Sequence, residues 1–168
     1  MHVKLLLIAL LACMTVFAQE TESTPLANRN THLEVALTFE KKPEYSRINV
    51  YGAATHYFNE LIGITAVLQL PNNTNYVGAG LSTKYAFSPS IDGYMLVGPM
   101  YVFDSGDSYQ AKMDSTVGLF IEAGVRFIMG HGNYIKCALH HISASSKAGD
   151  KDKNLNHNMV MVGYGKRF

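Results

Sequence analysis

In the run Ile135-Lys136-Cys137-Ala138-Leu139-His140-His141-Ile142-Ser143, an imidazole and a hydroxyl stand two residues apart. Side chains of an extended strand alternate between its faces, so His141 and Ser143 share a face with Ile135, Cys137 and Leu139. A hydroxyl beside an imidazole is the minimum of an activated nucleophile, because the ring can take the proton as the oxygen attacks. Residues two apart on a strand come within hydrogen-bond reach after modest bending. His140 points to the opposite face, so the two adjacent histidines cannot chelate one metal from a regular strand. Cys137 reads as a small apolar residue of the same face rather than as a nucleophile.

Such a pair needs elements to hold it, and period-two alternation recurs along the chain where helical periodicity does not. Leu33, Val35, Leu37 and Phe39 alternate with His32, Glu34, Ala36 and Thr38. Further runs cover Arg47–Phe58, Leu61–Leu70, Tyr76–Phe87, Tyr94–Phe103, Val117–Met129, Asn133–Ser143 and Asn158–Phe168. These eight segments of about ten residues predict an all-β fold, an eight-stranded antiparallel transmembrane β-barrel. With the N-terminus on the inner side, the outer loops are Glu40–Ser46, Pro71–Asn75, Asp104–Thr116 and Ala144–His157. The inner turns are Asn59-Glu60, Ser88–Gly93 and Gly130-His131-Gly132. Long loops outside and short turns inside are the asymmetry of outer-membrane barrels.

Closure follows from the solvent, since an unpaired strand edge finds no water in hydrocarbon. The minority face carries Glu34, Lys84, Glu122, Arg126 and Lys136, which are expected to pair inside the narrow lumen as a plug. A secreted lipocalin-like barrel has the same strand number but needs apolar residues inside. The charges on the minority face and the terminal Phe168 favour the membrane version. His32, His140 and His157 are expected on the luminal side near the barrel mouth. No ligand spacing accompanies them, so neither a metal nor a cofactor is expected.

The chain has 168 residues, enough for one domain. Lys4, an apolar stretch from Leu5 to Ala12 and Val16-Phe17-Ala18 describe a secretory leader over residues 1–18, followed by a barrel domain over 19–168. Cys13, after Leu10-Leu11-Ala12, offers a lipoprotein-type alternative. Once Cys13 leaves with the leader, Cys137 has no partner for a disulfide. Fourteen basic and thirteen acidic residues nearly cancel, which argues against a nucleic-acid partner.

The eighth strand pairs antiparallel with the seventh, its apolar face is Val160, Val162 and Tyr164, and Asn158 continues that face outward. His141, Ser143 and Asn158 would therefore meet on the outside of the barrel, level with the outer leaflet. That placement suits a substrate that is itself a lipid, arriving sideways through the membrane.

Phe120-Ile121-Glu122-Ala123-Gly124, His141-Ile142-Ser143, and Asn154 with Asn158 before the final strand resemble PagL-type lipid A 3-O-deacylases and related acyloxyacyl hydrolase-like barrels. Gly98-Pro99-Met100-Tyr101-Val102-Phe103 is similar to the strand before them. The resemblance covers the second half of the chain and implies serine-ester hydrolysis of the acyl chain at the 3-position of lipid A. It implies Ser143 as nucleophile, His141 as general base and Asn158 as the residue that orients the ring. The best-known members carry a glutamate in that third position. An amide can hold a histidine tautomer but cannot neutralise imidazolium, and an opposed charge at about 4 Å is worth about 4 kcal/mol at an effective dielectric of 20. Asp150, Asp152 and Asn156 are alternative orienters. A second departure is Ala144, where the family often has asparagine. Oxyanion donors would then come from backbone N–H groups near Ala144, Ser145 and Ser146 and from the Asn154 amide.

The implied partner is lipid A or lipopolysaccharide in the outer leaflet of a Gram-negative outer membrane, with Lys147, Lys151 and Lys153 able to meet its phosphates. A homodimer stays open. The rival reading is a non-catalytic small barrel, of the OmpX or opacity type, with a structural or adhesive role.

Overall fold

A computed structural model describes residues 30–42, 45–70, 75–104, 116–148 and 151–168, with the side chains at 41–45, 104, 116, 146–148 and 151–155 outside the description. The leader over 1–18 and Cys13 also lie outside the described residues. Eight strands follow in order: β1 Thr31–Lys42, β2 Tyr45–Tyr57, β3 Ile62–Leu70, β4 Asn75–Ser88, β5 Ile91–Asp104, β6 Thr116–Ile128, β7 Asn133–Ala148 and β8 Lys151–Arg167. Each pairs antiparallel with its sequence neighbour, and β8 returns to β1 from Phe39↔Val160 to His32↔Arg167, closing the barrel. No strand among these has a free edge, as a hydrocarbon environment demands.

Alternation sorts the side chains as expected. Outward positions are apolar and exposed, including Ile64, Leu81, Met95, Ile121, Leu139 and Val160. Leu139 is 69% exposed and Val117 68%, values that would be unfavourable in water but suit contact with acyl chains. Inward positions hold the expected charges. Arg126 donates to Glu34 through Nε at 3.0 Å, and Lys136 Nζ bridges Glu34 at 2.6 Å and Glu122 at 2.9 Å. Tyr134 donates to Glu34 at 2.7 Å, and Tyr94 donates to Glu122. The Arg126 guanidinium also lies 4.0 Å from the Tyr94 ring centre. All four charged side chains are buried, two of each sign, and every one has an opposite partner, which is what keeps buried charge tolerable. Lys84 sits half-buried over the Tyr57 ring, outside this core.

Aromatic rings fill the remaining lumen. Phe120 stacks on Tyr76 and His140, and it needs the glycine at position 78: a Cβ there would stand 2.7 Å from the ring. The turn Gly130–Gly132 places His131 at φ 61 and Gly132 at φ 80, left-handed backbone that glycine adopts without strain.

Strand ends differ from the sequence reading. The expected outer loop Ala144–His157 is largely strand, because β7 runs on to Ala148 and β8 starts at Lys151 rather than Asn158. The Glu40–Ser46 loop shrinks likewise, with β1 reaching Lys42 and β2 starting at Tyr45. Apolar alternation marks only the part of a strand that faces lipid. Beyond the membrane both faces of a hairpin are wet, so the pairing continues without the pattern.

Candidate functional site

β7 and β8 position the site. His140 is buried, bonded to Tyr76 at 2.6 Å and to Glu122 at 3.2 Å, and Ile142 and Ala144 are buried on the same face. With that face anchored in the plug, the pleat turns His141 and Ser143 outward. Ser143 is exposed and His141 half-buried. Across the strand pair, His141 stands opposite Asn158, and Leu119 and Ile121 of β6 flank Ser143 and His141 on the other side.

His141 Nδ1 lies 2.8 Å from Asn158 Oδ1. An amide oxygen only accepts, so Nδ1 carries a proton, and in the neutral ring Nε2 has the free lone pair. The ring is therefore held in the tautomer a general base requires. No hydrogen bond joins the Ser143 hydroxyl to the His141 ring in this arrangement. The two residues share a face and stand in adjoining hollows. His141 and Asn158 border an apolar groove with Phe39, Ile48, Leu139 and Val160. Ser143 lies in a recess of about 370 Å³ with Val117, Leu119, Ser145 and Asn156.

The other expected site residues are placed differently. Ala144 faces the lumen and is buried, while Ser145 faces out. Both belong to the paired strand, in register with Leu155 and Asn154, so the backbone donors near Ala144–Ser146 are not those of a free loop. Asn154 is in β8 opposite Ser145, and its side chain lies outside the description, as do those of Asp150, Asp152, Lys147, Lys151 and Lys153. Glu122 of the Phe120–Gly124 stretch belongs to the luminal plug, as its place on the minority face predicts. The three luminal histidines do not gather: His32 pairs in register with Arg167 near the inner end, His140 lies midway, and His157 bonds Glu40 near the outer end. Among the described residues no group of three or more His, Cys, Asp or Glu could hold a metal.

The sequence reading did not put Asn156 opposite Ser143. The signal was present in the period-two series Asn154, Asn156, Asn158, but only the β7–β8 register pairs it with the hydroxyl.

A closed barrel with an apolar exterior and a salt-bridged interior is a membrane-spanning protein of the outer-membrane barrel type. No protein-family model and no curated protein matches the sequence. In structure it is similar to a de novo designed transmembrane β-barrel, with a TM-score of 0.60 and 13% identity over 88% of this chain and 100% of that one. The N-terminal β-barrel domain of Pseudomonas aeruginosa OprF is similar at a TM-score of 0.57 and 12% identity, over 82% of this chain and 97% of the other. The outer membrane protein OprG of the same organism gives 0.57 and 13%, over 86% and 99%. Identities this low establish the fold, and a designed barrel among the neighbours underlines that the fold alone carries no activity.

Proposed function

We propose that this protein resides in the outer membrane of a Gram-negative cell and is a serine esterase that removes the 3-O-linked acyl chain from lipid A of lipopolysaccharide. The observation that carries the reading is the 2.8 Å bond from His141 Nδ1 to Asn158 Oδ1 on the lipid-facing exterior, two residues from Ser143. It leaves Nε2 as the basic nitrogen beside a hydroxyl, at a level where an acyl ester of the outer leaflet can arrive. In this reading Ser143 Oγ attacks the ester carbonyl and passes its proton to His141 Nε2. The sugar alkoxide leaves with that proton, and water then hydrolyses the acyl-serine by the same route in reverse. Attack requires a Ser143 rotamer that meets the ring, a contact that many hydrolases make only with substrate bound.

A non-catalytic small barrel with a structural or adhesive role is the second reading. It is favoured by the unmade Ser143–His141 bond, by an amide where the resembling family carries a carboxylate, and by fold neighbours that are small outer-membrane barrels. Purified protein incubated with lipopolysaccharide in detergent separates the two. The esterase releases 3-hydroxy fatty acid, and Ser143→Ala and His141→Ala both abolish the release while keeping the heat-modifiable gel mobility of a folded barrel. Equal release by wild type and both variants, or none by wild type, leaves the second reading.

A further inference from the structure

The β7–β8 register builds two outward rungs, His141↔Asn158 and Ser143↔Asn156, and pairs Ser145 with Asn154 next to them. Directly opposed residues of an antiparallel pair hold their Cβ atoms about 4.5–5.5 Å apart. Ser143 and Asn156 are both exposed and line the same recess. Neither side chain makes a hydrogen bond to a described residue, whereas the neighbouring rung is closed by the His141–Asn158 bond. The Asn156 amide is thus open to a ligand in the recess that also holds the Ser143 hydroxyl, with Leu119 as its apolar wall.

We infer that Asn156 is a catalytic residue whose side-chain Nδ2–H donates to the carbonyl oxygen of an ester bound at Ser143. This inference rests on the esterase reading. As the Ser143 Oγ–carbon bond forms, the carbonyl π pair moves onto the oxygen and the serine proton moves to His141 Nε2. The resulting oxyanion projects across the strand pair, within reach of the residue opposite. When it collapses, the bond to the sugar oxygen breaks, and that oxygen takes the proton from His141. A donor aimed where negative charge develops acts only in the transition state, which raises kcat rather than tightening binding. On the β8 side of Ser143 the donor has to be a side chain, since Ala144 and Ser145 are paired there in the β7–β8 ladder. The two asparagines thus divide the work: the Asn158 oxygen accepts from the ring, and the Asn156 nitrogen donates to the substrate.

The test measures kcat and KM for 3-hydroxy fatty acid release from lipopolysaccharide by wild type, Asn156→Ala, Asn156→Asp and Ser143→Ala, each checked for heat-modifiable mobility. Asn156→Ala is expected to lower kcat about 10²–10³-fold with KM little changed. Asn156→Asp, nearly identical in shape, is expected to lose at least as much, because a carboxylate offers no donor and repels the oxyanion. Should Asn156→Ala not fold, the Asp variant carries the same comparison. Wild-type kcat in the folded Asn156 variants, with Ser143→Ala inactive, overturns this inference and leaves the esterase reading standing. Absence of turnover in wild type overturns both.

Discussion

Replacing Lys136 by methionine removes the cation that ties two buried carboxylates together while keeping the volume of the side chain. Lys136 donates to Glu34 at 2.6 Å and to Glu122 at 2.9 Å. Glu34 retains Arg126 and Tyr134, but Glu122 is left with the hydroxyl of Tyr94 and the ring of His140. A hydrogen bond to a charged group contributes about 1.5–3 kcal/mol, so the two together amount to roughly 3–6 kcal/mol. Breaking a buried ion pair from one side costs about 3–5 kcal/mol by direct comparison, a range that overlaps the first. Urea unfolding in phospholipid vesicles, read by heat-modifiable mobility, should therefore show Lys136→Met less stable by about 3–5 kcal/mol. Adding Glu122→Gln removes the stranded charge and should recover part of that loss, with coupling of about 1–3 kcal/mol between the two sites. A loss below about 1 kcal/mol for the single variant, or no recovery in the double, would refute the view that paired charge holds the lumen together.

Further outcomes follow from the same geometry. Asn158→Glu should speed release of 3-hydroxy fatty acid about fivefold or less, because a carboxylate stabilises imidazolium but the exposed position limits the gain to about 1 kcal/mol; kcat at fixed pH checks this. Gly78→Val drives a side chain into the Phe120 ring and should destabilise the barrel by about 1–3 kcal/mol in the same urea titration. Leu139→Arg places a cation on the lipid face and should lower stability by up to about 4 kcal/mol, while Leu139→Met changes it by less than about 1.5 kcal/mol. Cys137, exposed on the same face, should resist a water-soluble maleimide in intact vesicles and react once the protein is unfolded in urea, as mass spectrometry of the peptide would record.

The alternation of apolar and polar residues was enough to predict the strands, the closed architecture and the pairing of Glu34, Glu122, Arg126 and Lys136 inside. That information is local: a pleat repeats every two residues, and lipid accepts one class of side chain while a narrow lumen accepts another. The same rule placed His141 and Ser143 together on the exterior, and a count along β8 brought Asn158 to the same face. It failed where the solvent changed. Past Ile142 the apolar alternation ends, with Ser143, Ser145 and Asn156 outward and His157 inward, so this part of the β7–β8 hairpin has the composition of a loop although it is paired strand. Which residue stands opposite which is decided by register, a non-local property that the hairpin connection and the closed sheet settle together. Register aligned Asn158 with the ring of His141 and Asn156 with the hydroxyl of Ser143. Residue types and their spacing named the chemistry, while the cross-strand geometry that could perform it exists only in the folded barrel.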